Sequence, residues 1–76
     1  MQELLDRIHV DPHACGGMPV IRGTRVMVSI LLDGLAEGLA PEEIVRHYPH
    51  LTVNDVRAAA AYGSVLTKEK IWKIAG

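Results

Sequence analysis

The sequence predicts a small α+β domain: a short N-terminal β-hairpin region followed by a three-helix, helix-turn-helix-like bundle. Three observations carry this expectation. Between Cys15 and Val28, the apolar runs Val20-Ile21 and Val26-Met27-Val28 are set off by Gly16, Gly17 and Gly23. That is the pattern of strands joined by glycine-containing turns. From Val28 to Leu39, apolar residues recur at helical spacing. After Ala40, two further segments open with helix-start chemistry, Pro41-Glu42-Glu43 and Thr52-Val53-Asn54-Asp55.

Length and composition set the limits. The chain has 76 residues, so it reads as a single domain. A chain of that size buries only about 60% of its unfolded surface, and oligomerisation often supplies the rest. Hydrophobic residues make up 49%, too many for a disordered chain. A single cysteine excludes an internal disulfide and fits a reducing, cytoplasmic setting. The sequence shows no charged-then-apolar leader and no apolar run near 18 residues, so neither a signal peptide nor a membrane span is expected. Net charge is −1. A dedicated nucleic-acid binder usually has a basic excess. DNA binding here would need a local patch, a second copy or a partner. Without phenylalanine, and with Tyr48, Tyr62 and Trp72 as the aromatic residues, the chain lacks a stacking platform for single strands.

The β region spans residues 7–28. Met1 to Asp6 precedes it as a short lead with a helical turn through Leu4-Leu5. Arg7-Ile8-His9-Val10 alternates polar and apolar and reads as a strand. Asp11-Pro12 ends it, since proline has no amide donor and extends the residue before it. Gly16-Gly17 turns the chain into the hairpin of Val20-Ile21 and Val26-Met27-Val28. Its tight turn is Arg22-Gly23-Thr24-Arg25. Two like charges flanking a turn repel unless an anion lies between them. That anion is a carboxylate of the same fold, a partner's carboxylate, or a phosphate. In the structural alternative, each arginine pairs with an acid such as Asp11, Asp33 or Glu37. The apolar hairpin edge is a template for pairing with another chain, so a homodimer is expected.

The helical region spans 29–66. Val28, Leu31, Leu32, Leu35, Ala36 and Leu39 form one stripe, with Ser29 as N-cap and Gly38 as the stop. Pro41 suits the first position of the second helix, and Glu42 and Glu43 suit its dipole. Ile44, Val45 and Tyr48 give its inner face, and Pro49 ends it. Thr52 caps the third helix, with Asp55 completing a shorter capping box. Val53, Val56, Ala59, Ala60 and Gly63 are its expected buried side. Residues 67–76 are a basic, apolar tail.

The last two helices give a helix-turn-helix outline, in which the N-terminal residues of the second helix reach base edges. Its outward positions are expected to be Asn54, Arg57, Ala58 and Ala61. Asn pairs with adenine and Arg with guanine. Arg46, with His47 and His50, would meet phosphates. Asp55 is unfavourable beside a phosphate, and alanines read a base only through a methyl contact. In the tail, Ile71, Trp72 and Ile74 gather as a partner-binding patch, with Trp72 as anchor. The alternative is that the tail covers the small sheet. Neither a catalytic residue, a metal site nor a cofactor is expected. His9, His13 and Cys15 lack a second ligand pair for zinc. Cys15 has no histidine placed as its base.

The residues carry a resemblance as well. Arg7-Ile8, Asp11-Pro12, Cys15-Gly16-Gly17, Pro19-Val20-Ile21-Arg22-Gly23-Thr24-Arg25 and Val28 resemble the signature of a small prokaryotic family, domain-of-unknown-function family 433. Leu51-Thr52, Asp55-Val56, Ala58-Ala59 and Tyr62 are similar to its second block. The likeness runs from about Arg7 to Tyr62. It implies a β-hairpin region followed by a helix-turn-helix-like part. It also implies an antitoxin-like binding protein, not an enzyme, that sequesters a nuclease-like toxin and binds operator DNA. The alternative is a structural or regulatory protein-interaction module without DNA binding.

Overall fold

The computed structural model describes residues 1–68. The element order is α1 (Gln2–Leu5), β1 (Ile8–His9), β2 (Val20–Ile21), α2 (Val28–Ala36), α3 (Pro41–Arg46) and α4 (Val53–Lys68). A single 3₁₀ turn, Cys15–Gly17, lies between the strands. The architecture is α+β, an antiparallel strand pair at the N-terminal side followed by helices. The helical lead at Leu4-Leu5 is a full turn, so the described residues hold four α-helices rather than three.

The strands pair antiparallel, Ile8 with Ile21 and His9 with Val20. This corrects the expected partner. Val20-Ile21 pairs with the Arg7–Val10 segment, and Val26-Met27-Val28 contributes only one bridge, Met27 to Val20. Val28 is both the end of that apolar run and the first residue of α2. Its N–H donates to Pro19 O at 3.0 Å, and the chain then turns helical before a second rung can form.

Helix α2 follows the expected stripe at Val28, Leu31, Leu32 and Leu35, with Leu31 fully buried and Val28 3% exposed, but Ala36 is exposed and Leu39 lies beyond the helix end. Ser29 is not its cap: Met27 is the N-cap residue, and Ser29 lies exposed inside the helix. The stop at Gly38 stands, with φ of +93°, a conformation glycine adopts without a Cβ penalty. Helix α3 opens on Ala40, whose N–H donates to Glu43 Oε1 at 3.0 Å. It ends at Arg46, three residues short of Pro49.

Helix α4 runs through the middle of the fold and packs against α1, α2, α3 and β1. Ile8, Ile21, Val28, Leu31, Ile44, Leu51, Val56, Ala58 and Ala59 form the core around it. Its buried side differs from the expected one. Asp55, Val56, Ala58, Ala59 and Ala61 are buried, whereas Ala60 is exposed and Val53 and Gly63 are half-buried. No described helix is long and apolar enough to cross a membrane.

Candidate functional site

The unit of interest is α3, the connection 47–52, and the first turns of α4. Two turn bonds close the end of α3: His47 N–H donates to Ile44 O at 3.0 Å, and Tyr48 N–H to Val45 O at 3.1 Å. Leu51 N–H then donates to Tyr48 O at 2.8 Å, and the buried Leu51 side chain pins the connection to the core. Such a short, anchored connection fixes the two helices relative to each other.

Asp55 organises the start of α4. Its Oδ2 accepts from Thr52 N–H at 2.8 Å and from Thr52 Oγ1 at 3.3 Å. Its Oδ1 accepts from Arg7 Nη1 at 3.1 Å, an ion pair that ties β1's lead-in to α4. Asp55 is only 7% exposed. A buried charge needs a partner and hydrogen bonds, and this one has both.

With Asp55 inward, Asn54 and Arg57 are the outward side chains of this turn, both exposed. Arg57 Nη1 donates to Asn54 Oδ1 at 3.4 Å. Arg46, the last residue of α3, is exposed, as are His47 and His50. Ala58 and Ala61, expected to face outward, are 0% and 5% exposed and belong to the core. The outward surface of α4 therefore begins with Asn54 and Arg57 and continues through Ala60. Beside it lies a hollow of about 270 Å³ lined by Met1, Glu3, Leu4, Arg7, Asn54 and Arg57. Sequence reasoning did not place Glu3 and Arg7 here. Arg7 stood in the quoted signature, but nothing in its spacing pointed to a helix so far along the chain.

The Arg22–Arg25 turn is built differently from the expectation. Gly23 has φ of +80°, the left-handed conformation a tight turn requires. Thr24 closes the turn: its N–H and Oγ1 donate to Ile21 O at 3.0 and 2.7 Å, and its Oγ1 accepts from Val26 N–H at 3.0 Å. Arg22 does not pair with Asp11, Asp33 or Glu37. Its Nε donates to Asp6 O at 2.9 Å and its Nη2 to Ile8 O at 3.2 Å. Arg22 therefore folds back onto the backbone around β1. Arg25 is exposed and makes no side-chain hydrogen bond or ion pair among the described residues.

The loop between the strands holds Cys15, Gly16 and Gly17 at φ of +51°, +63° and +76°. Cys15 carries a Cβ in that region, at a cost of about 1–2 kcal/mol. Gly17 N–H donates to Ala14 O at 2.9 Å, which closes the turn. His9 and His13 are exposed. Among the described residues, no group of three His, Cys, Asp or Glu side chains is gathered as metal ligands would be. Ile71, Trp72 and Ile74 lie outside the described residues.

The geometry can now be set beside known proteins. The family model described as "Protein of unknown function (DUF433)" matches residues 8–63. The chain belongs to this family. The match takes in β1, β2, the Arg22–Arg25 turn, Arg46, Asn54 and Arg57. A DUF433 member protein from Anabaena variabilis ATCC 29413, known from a 2.00 Å crystal structure, shares the fold with a TM-score of 0.76. It is 34% identical, and the superposition covers 90% of this DUF433 chain and 67% of that one. An "Uncharacterized protein y4eO" of Sinorhizobium fredii (strain NBRC 101917 / NGR234) is 37% identical over 51 residues. Those residues are 67% of this chain and 23% of that protein, so the chain matches under a quarter of its length.

Proposed function

We propose that this DUF433 domain is a non-enzymatic, antitoxin-like binding protein that reads duplex DNA through α3 and α4 and sequesters a nuclease-like toxin in the cytoplasm. The observation that carries the DNA half is the exposed pair Asn54 and Arg57 on the first turns of α4, with Arg46 exposed at the end of α3. Two features that weighed against DNA in the sequence lose their force. Asp55 presents no free carboxylate to a phosphate, because it is buried and held by Arg7 and Thr52. Ala58 and Ala61 occupy no reading position, because they are core residues.

The arrangement suits a helix-turn-helix mode, in which phosphate contacts fix register and the helix start meets base edges. A net charge of −1 gives one copy little long-range attraction to DNA. Two copies on a two-fold site double the local contacts, so the proposal includes a homodimer. The toxin half rests on the family resemblance. Its recognition surface is proposed to lie away from the outward face of α4.

Fluorescence anisotropy with a duplex from the region upstream of the gene, at low salt, tests the reading. Binding is expected to favour that duplex over a scrambled one and to weaken on Arg57→Ala. No binding at low salt, with or without a partner protein, would leave the interaction module without DNA as the surviving reading. Glu3 supports that alternative, because this acidic residue lines the same hollow as Arg57.

A further inference from the structure

Helix α2 buries Val28 and Leu31 and turns a second face outward. Ser29, Ile30, Asp33, Ala36 and Glu37 recur there at helical spacing, and all are exposed. Ile30 is 43% exposed. On its flank lies a small hollow of about 120 Å³, with Gly34, Leu39 and Tyr48 among its lining residues. On the other flank, Ser29 and Leu32 border an apolar groove of about 170 Å³, whose walls include Met18 and Leu66. Met18 and Leu66 are also exposed. Three of the five large apolar side chains exposed among the described residues therefore gather around α2.

The charges at the two ends of α2 have the wrong sign for their own helix. The helix dipole favours acids at the start and cations at the end. Arg25 instead leads into the start, three residues before Val28. Asp33 lies in the last turn and Glu37 is the C-cap, with no basic residue in that turn. All three charges are exposed, and none joins an ion pair among the described residues. A second α2 laid antiparallel supplies what each end lacks: the cation meets an acidic helix end, and the acids meet a positive one.

We propose that the outward face of α2 is the contact of a homodimer, two copies packing their α2 helices antiparallel about a two-fold axis. The inference rests on the homodimer included in the DNA reading and names its surface. In a register centred at the level of Leu31, Ser29 of one copy lies opposite Asp33 of the other, and Arg25 faces Glu37. Ile30 comes level with Leu32 of the other copy, at the edge of its apolar groove. Each relation occurs twice, as an isologous contact requires. Exposed ion pairs are individually weak, so the apolar residues supply affinity and the charges set direction. The strand edge is a poorer candidate, because β1 and β2 have only two residues each.

Light scattering on the full chain, from low to high micromolar concentration, tests the proposal. The expected result is a particle of twice the mass of one chain. Ile30→Asp is expected to raise the dissociation constant at least about tenfold, since it places an unpaired charge in the contact. Arg25→Glu and Glu37→Arg are each expected to weaken the dimer severalfold, and the double variant to restore it. Far-UV circular dichroism identifies a variant that simply unfolds, and the charge reversals decide if Ile30→Asp does so. A full chain that stays monomeric at high micromolar concentration overturns this proposal together with the homodimer of the DNA reading. A dimer that none of these variants weakens overturns this proposal alone and puts the contact on another face. Reversals that weaken the dimer with no rescue in the double variant overturn the antiparallel arrangement. A dimer with the expected pattern that binds no duplex supports this proposal and counts against the DNA reading alone.

Discussion

Arg7 reaches across 48 positions of sequence to set its Nη1 3.1 Å from Oδ1 of Asp55. The two partners are unequally placed, with side chains 41% and 9% exposed. Water can take over Arg7 if the pair is broken, but it reaches Asp55 poorly. The carboxylate also holds Thr52 N–H, a free amide at the start of α4. Asp55→Ala is therefore expected to cost about 2 kcal/mol, a lost helix-start acceptor plus a lost charge-assisted bond. Arg7→Ala is expected to cost about 1 kcal/mol, since Thr52 still satisfies the carboxylate. Urea unfolding of both variants gives the order. Equal losses would mean that the ion pair, not the cap, dominates.

Two glycines in the helix interiors have opposite expected signs. Gly63 on α4 would carry a Cβ at 3.6 Å from Leu32 Cδ1, an ordinary contact. Gly63→Ala is expected to stabilise by about 0.4–1 kcal/mol, because alanine loses less backbone freedom on folding. For a chain of this length that raises the thermal midpoint by roughly 2–8 °C. Gly34 on α2 would place a Cβ 3.1 Å from Ile44 Cδ1 and 3.3 Å from its Cγ1. Ile44 is 3% exposed and has little room to yield. Crowding of about 1–3 kcal/mol then outweighs the helix gain, so Gly34→Ala is expected to lower the midpoint. Calorimetry on the pair reads both signs at once.

The turn arginines separate in the same way. Arg22 serves two carbonyl oxygens of the segment around β1. Arg22→Ala is expected to cost about 1–2 kcal/mol of stability, with no change in the salt dependence of any ligand binding. Arg25 is exposed and makes no such bond among the described residues. Arg25→Ala is expected to stay within about 0.5 kcal/mol of the parent, as surface substitutions do. A stable Arg25→Ala protein that has lost anion or partner binding would give that arginine the recognition role.

The sequence was legible where one element supplied its own evidence. The α2 stripe from Val28, the Gly38 stop and the Pro41 start each depend on residues a few positions apart. The phase of α4 was not legible. Ala58, Ala59, Ala60 and Ala61 are consecutive and nearly alike in hydrophobicity, so they carry almost no periodic signal. The residue that would set the phase is Asp55, and a carboxylate is ordinarily counted as outward. It turns inward because Arg7 and Thr52 compensate it, and Arg7 belongs to another part of the chain. Strand pairing failed for a related reason. Val26-Met27-Val28 scores equally as a strand and as the start of a helix, and the helix takes Val28. Within the candidate site, Asn54 and Arg57 were read as outward and are exposed, whereas Glu3 and Arg7 came in through α1 packing on α4.

The DNA reading makes its sharpest prediction through a contrast between α3 and α4. Arg57 lies on the first turns of α4, where on that reading a side chain would meet base edges, and its only described side-chain bond is a 3.4 Å contact to Asn54. That bond is weak enough to exchange for a bidentate contact with guanine. Arg57→Ala is expected to weaken specific binding by about 1–3 kcal/mol and relax preference at one base position. Arg46 ends α3, where on the same reading a charge would meet the DNA backbone rather than a base. Arg46→Ala is expected to weaken all duplexes alike and lower the salt slope by about one unit. Anisotropy titrations at several salt concentrations, on the specific duplex and on single-base variants, separate the two effects. If both variants change the salt slope alone, the surface holds DNA without reading it. If neither changes anything while the duplex still binds, the contact lies on another face and α4 is not the reading helix.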